Sequence, residues 1–306
     1  MADTKITGLT ENTAPISTDL MEICDDPGGS ALNQKITMAT LQSLLAVGII
    51  PGGRLTLTTA TPVTTADVTA AATLYYTPYI HDRIGLYDGT SWRSVLFVEK
   101  SITLVGTTAS RPYDVWGYLS AGTLALELLV WTNGTTRATA LAYQDGRLVK
   151  SGDATRRYLG TIYVNSSGGQ TDDSIVKRFV SNYYNRIPRR MYDGDATSHN
   201  YTTGTWRSWN GDDTIRLEFI LGVLEDAVTI YLNSGVETAY VGVGLDATNA
   251  NATSLVFHYN GDTVLQIVGG AGPLYPATGY HYLQAIELGV PGATQSEVYI
   301  GATIAG

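Results

Sequence analysis

The chain has 306 residues, 44% of them apolar and only 15% charged, against roughly 25% charged in an average soluble protein. This composition argues against wholesale disorder, and a net charge of −9 without any block of Lys or Arg argues against a nucleic-acid groove or attraction to anionic membrane. Twenty Tyr against four Phe suit half-buried strands, and the low charge matches the cores of protein interfaces, so an assembling sheet protein is expected.

Cys24 is the single cysteine, which leaves no intrachain disulfide and no Cys-based zinc site. The start, Met1-Ala2-Asp3-Thr4-Lys5, lacks the basic and apolar regions of a signal peptide. The longest apolar stretch near it, Leu44 to Ile50, is too short to span a bilayer. The expectation is assembly in a cytosol, with no membrane insertion and no cofactor.

Residues 1–51 form the first region. Apolar residues are sparse, and a turn cluster, Asp25-Asp26-Pro27-Gly28-Gly29-Ser30, interrupts them. Leu41, Leu44 and Leu45 recur at helical spacing, with Thr37 as N-cap and Gly48 as stop. A segment so poor in large apolar side chains cannot build its own core, so it should order by docking on something else.

Residues 52–191 read as a β-rich domain. Arg54-Leu55-Thr56-Leu57-Thr58 alternates with period two. Asp88-Gly89, Asn133-Gly134 and Asp145-Gly146 lie between apolar runs and predict hairpins. Near the end, Ile175, Val176, Phe179, Val180, Tyr183 and Tyr184 fall on one helical stripe. They predict a covering helix over about 172–186, capped by Asp172 or Asp173 and stopped by Pro188. Arg186, Arg189 and Arg190 cluster just beyond it, where a solvated or ion-paired role at an interface is expected.

Residues 192–306 carry turn signals at Asp193-Gly194, Asn210-Gly211, Ser234-Gly235 and Asn260-Gly261, with short apolar runs between them. This spacing predicts an antiparallel β-sandwich or jelly roll. The fold class expected for the whole chain is mainly β: an extended N-terminal segment, a β-rich middle domain with one helix, and a C-terminal sandwich.

Ile6-Thr7-Gly8-Leu9, Asp19-Leu20-Met21-Glu22-Ile23, Asp26-Pro27-Gly28-Gly29 and Lys35-Ile36-Thr37 together resemble the N-terminal attachment segment of tailed-bacteriophage fibre and appendage proteins. Leu86-Tyr87-Asp88-Gly89-Thr90-Ser91-Trp92, Arg111-Pro112-Tyr113-Asp114-Val115, Thr136-Arg137-Ala138-Thr139 and Arg156-Arg157-Tyr158-Leu159-Gly160-Thr161 resemble a domain that recurs in such proteins. Gly279-Tyr280-His281-Tyr282-Leu283-Gln284 is similar to their sandwich tips. The resemblance implies a homotrimeric virion structural subunit, a tail fibre or a head fibre. Ile6, Leu9, Leu20, Ile23, Ile36 and Leu41 would anchor it to other virion proteins, and the C-terminal domain would meet the host surface. A head-fibre or decoration protein without receptor contact is the alternative, and a glycan-degrading tailspike the third.

The chain has no HExxH, no Gly-x-Ser-x-Gly elbow and no phosphate loop. His81, His199, His258 and His281 stand apart, and His281 between Tyr280 and Tyr282 suggests a packing or hydrogen-bonding role. Asp212, Asp213, Glu218, Glu225, Asp226 and Asp262 are the acids to weigh for glycosidase chemistry, which needs a facing pair. Turn chemistry and loop positions explain them more simply, so a non-enzyme is expected. Tyr201, Trp206, Trp209 and Asn210 surround one turn and are the candidates for stacking on, and hydrogen bonding to, a host glycan.

Overall fold

A computed structural model describes residues 18, 20–25, 32–224, 227–236, 239–252, 256–259, 266–292 and 294–306. The chain is mainly β, with one α-helix of more than a single turn among the described residues. Leu20–Asp25 and Leu32–Thr37 pair antiparallel and lead directly into that helix, Met38–Val47. The Thr37 hydroxyl accepts from the Thr40 N–H at 3.1 Å, so the predicted cap is in place, and Gly48 follows the last turn. The helix meets the rest of the chain through Ala46, which is fully buried against Trp92 and Val149. Leu45, expected on the apolar stripe, is instead 65% exposed. Gly85 makes the approach possible: a Cβ there would lie 2.4 Å from the Ala46 carbonyl oxygen.

The middle region is a set of antiparallel sheets. In the largest, Thr123–Val130, Arg111–Ser120, Asp153–Val164, Arg147–Lys150 and Leu141–Gln144 lie side by side in that order. Gly53–Thr56, Thr73–Pro78 and Lys100–Thr103 form a smaller sheet, and Arg83–Tyr87 pairs with Trp92–Leu96. Leu55, Leu74, Ile84, Val115 and Ile162 from these sheets share one core with Phe97, which follows the last strand residue Leu96. Asp145 and Gly146 both have positive φ, 50° and 75°, and close the predicted two-residue turn between Gln144 and Arg147. At Asp88-Gly89 only the glycine has positive φ. There the Asp88 carboxylate holds a longer loop by accepting the N–H groups of Thr90 and Ser91 at 2.8 and 2.7 Å.

The covering helix over 172–186 does not form. Thr171–Asp173, Lys177–Arg178 and Val180–Asn182 are short strands instead. Val180–Asn182 extends the middle sheet against Asp153–Val164, and Lys177–Arg178 runs parallel to Arg216–Leu221. The apolar stripe was ambiguous because its β-branched and aromatic residues suit a strand as well. The polar residues of the segment, Asp172, Asp173, Ser174, Arg178, Ser181 and Asn182, are buried rather than solvated. The segment is a connector between sheets. The next strand, Pro188–Asp195, runs across the expected boundary at residue 191.

In the C-terminal region two sheets face each other. Pro188–Asp195, Thr294–Ala305, Val228–Val236 and Gln266–Leu274 are consecutive in one. Arg216–Leu221, Gly279–Gly289, Ala239–Leu245 and Val256–Tyr259 belong to the other. Met191, Ile230, Val298 and Ile300 from the first interlock with Leu217, Phe219, Val241 and Leu283 from the second. Two expected turns are strand interiors. Gly194 lies beneath the Tyr299 ring, where a Cβ would meet Cδ1 at 2.5 Å, and the buried Ser234 hydroxyl donates to the Glu297 carbonyl. Glycine there serves close packing, not reversal. Asn210-Gly211 does turn, with φ of 54° and 69°; Asn260-Gly261 lies outside the described residues.

Candidate functional site

Tyr201, Trp206, Trp209 and Asn210 converge, as their spacing suggests, but around a buried acid. Glu287, on Gly279–Gly289, has no exposed side-chain surface. It is bonded by His199 Nε2 at 2.8 Å, Arg207 Nε at 2.9 Å and the Asn210 N–H at 3.0 Å. A buried carboxylate persists when donors of this kind surround it. Trp209 is fully buried, with His199 edge-on at 5.1 Å, so it cannot stack on a sugar. The Arg207 guanidinium lies 3.8 Å from the centroid of the Tyr201 ring and covers one face of it. Trp206 is half-buried in a strand paired with residues 286–288. These residues brace the loops at one end of the sheet and form no stacking platform.

The acids weighed for catalysis are engaged in local bonds. Asp212 Oδ1 accepts the N–H and hydroxyl of Thr214, both at 2.7 Å. Asp213 accepts the Ser208 hydroxyl. Glu218 takes the Tyr280 hydroxyl at 2.5 Å and ion pairs with Lys177 and Arg216, both at 3.2 Å. Glu225, Asp226 and Asp262 lie outside the described residues, as do Ile6 and Leu9 of the anchor set. Leu20 and Ile23 stand in the first strand, and Ile36 and Leu41 are half-buried. His281 has the structural role its neighbours suggested: Nδ1 meets Asp246 at 2.7 Å and Nε2 the Ala277 carbonyl at 2.8 Å. Among the described residues, no three His, Cys, Asp or Glu side chains converge on a metal-sized point.

An exposed aromatic surface does exist, on the outer face of the sheet containing Thr294–Ala305. Register places Tyr192, Gly301 and Tyr231 side by side on three adjacent strands. Gly194, Tyr299 and Asn233 form the next row, and Arg190, Thr303 and Thr229 the row on the other side. The residues between them, such as Met191, Leu232, Ile300 and Ala302, point into the core. Three tyrosines thus stand around a glycine floor. Tyr192 and Tyr231 are 39% and 48% exposed, and the Tyr192 and Tyr299 rings stack at 5.9 Å and 13°. The groove has a volume of about 520 Å³. Its sequence signal was the alternation Tyr299, Gly301, Thr303 between buried Val298, Ile300, Ala302 and Ile304, which becomes a site only once three distant strands are in register.

No family model and no curated protein matches the chain. Among solved structures, it is similar to the insecticidal delta-endotoxin Cry8Ea1 of Bacillus thuringiensis, with 8% identity and a TM-score of 0.27, over 78% of this chain and 49% of that one. It is also similar to a β-porphyranase of glycoside hydrolase family 86 from Bacteroides plebeius, with 10% identity and a TM-score of 0.24, over 93% and 44%. The chain therefore spans less than half the length of each of these two proteins. Likeness at these scores carries no inference about function.

Proposed function

We propose that this chain is a non-catalytic structural subunit of a tailed-bacteriophage fibre or appendage, a homotrimer located in the virion. Residues 1–51 attach it to other virion proteins, residues 52–191 form its scaffold, and residues 192–306 form an outward-facing sandwich that contacts the host surface. The observation that carries this reading is a contrast within the C-terminal region. Its described candidate acids are engaged in local bonds, while an aromatic sheet face stands open to solvent. A contact surface without a reactive carboxylate pair suits adhesion better than hydrolysis. That open face also favours a host-contacting role over pure decoration of the shell.

Exposed Leu45, Leu96 and Val98 in the first half of the chain leave apolar surface for assembly. Gold-labelled antibody to the chain should decorate intact particles, and the purified protein should release no new reducing ends from host polysaccharide. Unlabelled particles, or sugar release, would overturn the reading.

A further inference from the structure

We propose that the slot between Tyr192 and Tyr231 binds a carboxylated pyranose, a uronic-acid residue within an acidic polysaccharide. The inference deepens the reading of this face as a contact surface and rests on it. Tyr192 and Tyr231 flank Gly301 across two interstrand spacings, roughly 9–10 Å between backbones. The Tyr192 ring is engaged by Tyr299 and Arg190, so the exposed Tyr231 ring is the wall of the groove that receives a sugar face. Tyr299 closes one end. Sugar rings present C–H faces that pack on tyrosine, while their hydroxyls need donors and acceptors at the rim. Asn233, exposed beside Tyr299, supplies an amide there.

Arg190 decides the charge of the ligand. It is exposed, lies 5.2 Å from the centroid of the Tyr192 ring, and has no carboxylate partner among the described residues. A guanidinium held beside an aromatic wall pairs naturally with a planar carboxylate in two parallel hydrogen bonds. The chain as a whole carries a net charge of −9, so long-range attraction draws in no polyanion, the acidic polysaccharide included. Recognition must be local: one carboxylate on one ring, matched to one arginine.

The test is calorimetric titration of the full chain with a polygalacturonate hexasaccharide and with its methyl ester. The acid should bind at least ten-fold more tightly than the ester. Arg190→Gln should erase that preference. Gly301→Leu should abolish binding of both sugars with an unchanged melting curve. The glycine tolerates a Cβ, which would sit in ordinary contact at 3.4 to 3.8 Å from its nearest neighbours, while the longer side chain fills the slot. Equal affinity for acid and ester, binding indifferent to Gly301→Leu, or no binding of either sugar would overturn the proposal. So would an oligomer in light scattering that Gly301→Leu dissociates, because the face would then belong to a second copy. Antibody labelling of particles is independent of all these outcomes, so failure of the ligand class and failure of the virion reading are distinguishable.

Discussion

Single side chains hold the long loops of this protein, and their ionisation sets how it should respond to acid. Burial opposes ionisation of Asp88, but the Ser91 N–H, the Arg93 guanidinium and the Thr90 N–H together pull its carboxyl down to about 2. Glu99 is likewise held below the usual range, against burial, by the hydroxyls of Thr59 and Thr77 and the Ala60 N–H. A carboxylate depressed in the folded state contributes stability above its unfolded pKa and loses it as pH falls through the folded value. Melting temperature should therefore be level near neutrality and drop between about pH 4 and pH 2, as read by circular dichroism. Asp114 behaves oppositely: burial pushes it up, against Arg137 and Thr161. Arg137 Nε lies 2.9 Å from Asp114, and the guanidinium sits 4.4 Å from the centroid of the Trp131 ring and donates to the Gly222 carbonyl. Removing the partner of a buried charge costs about 3–5 kcal/mol, so Arg137→Met should lower stability in urea by about that amount. A loss below about 1 kcal/mol would show that the pair is dispensable.

At the scale of elements, what could be read from the sequence depended on whether the signal was local. The Thr37 cap and the Asp145-Gly146 turn depend on neighbouring residues only, and both are found where expected. The turn at Ala121-Gly122 is not legible in the sequence, because alanine at a φ of 48° has no signature there. The 172–186 segment misleads because its apolar spacing fits a helix while its partners, Asp153–Val164 and Arg216–Leu221, supply strand edges from distant parts of the chain. The four glycan candidates share a turn, but the strand carrying Glu287 turned them into a brace. The tyrosine groove needed three strands in register and could not be read from any one of them. The helix offers the sharpest test at this scale. Gly85→Ala places a Cβ against the Ala46 carbonyl and also 3.0 Å from the Arg157 guanidinium. Hydrogen exchange over 38–47 should then accelerate while exchange in the C-terminal sheets stays the same. Unchanged protection of the helix would mean that it does not depend on this contact.

For the molecule as a whole, the connector after residue 170 ties the middle sheets to the C-terminal pair. Asp173 sits between Arg178 at 2.8 Å and Arg189 at 2.9 Å, all three largely buried. Arg54 joins this cluster from the first middle strand, donating to the carbonyls of Pro62, Asn185 and Gly306. Burial and the nearby Arg189 charge push its guanidinium down to about 10. The basic cluster noted in the sequence thus divides: Arg189 is an internal tie, and Arg190 faces outward beside the tyrosines. Two tied β bodies with an open aromatic face suit a rigid appendage, and in the function proposed above the attachment of residues 1–51 would be the step that makes it one. Cross-linking mass spectrometry on purified particles tests this directly, because Lys5 and Lys35 lie in that segment. Cross-links from both lysines to a different virion protein are the expected result. Absence of the chain from particles, or links from Lys5 and Lys35 confined to the chain itself, would contradict it.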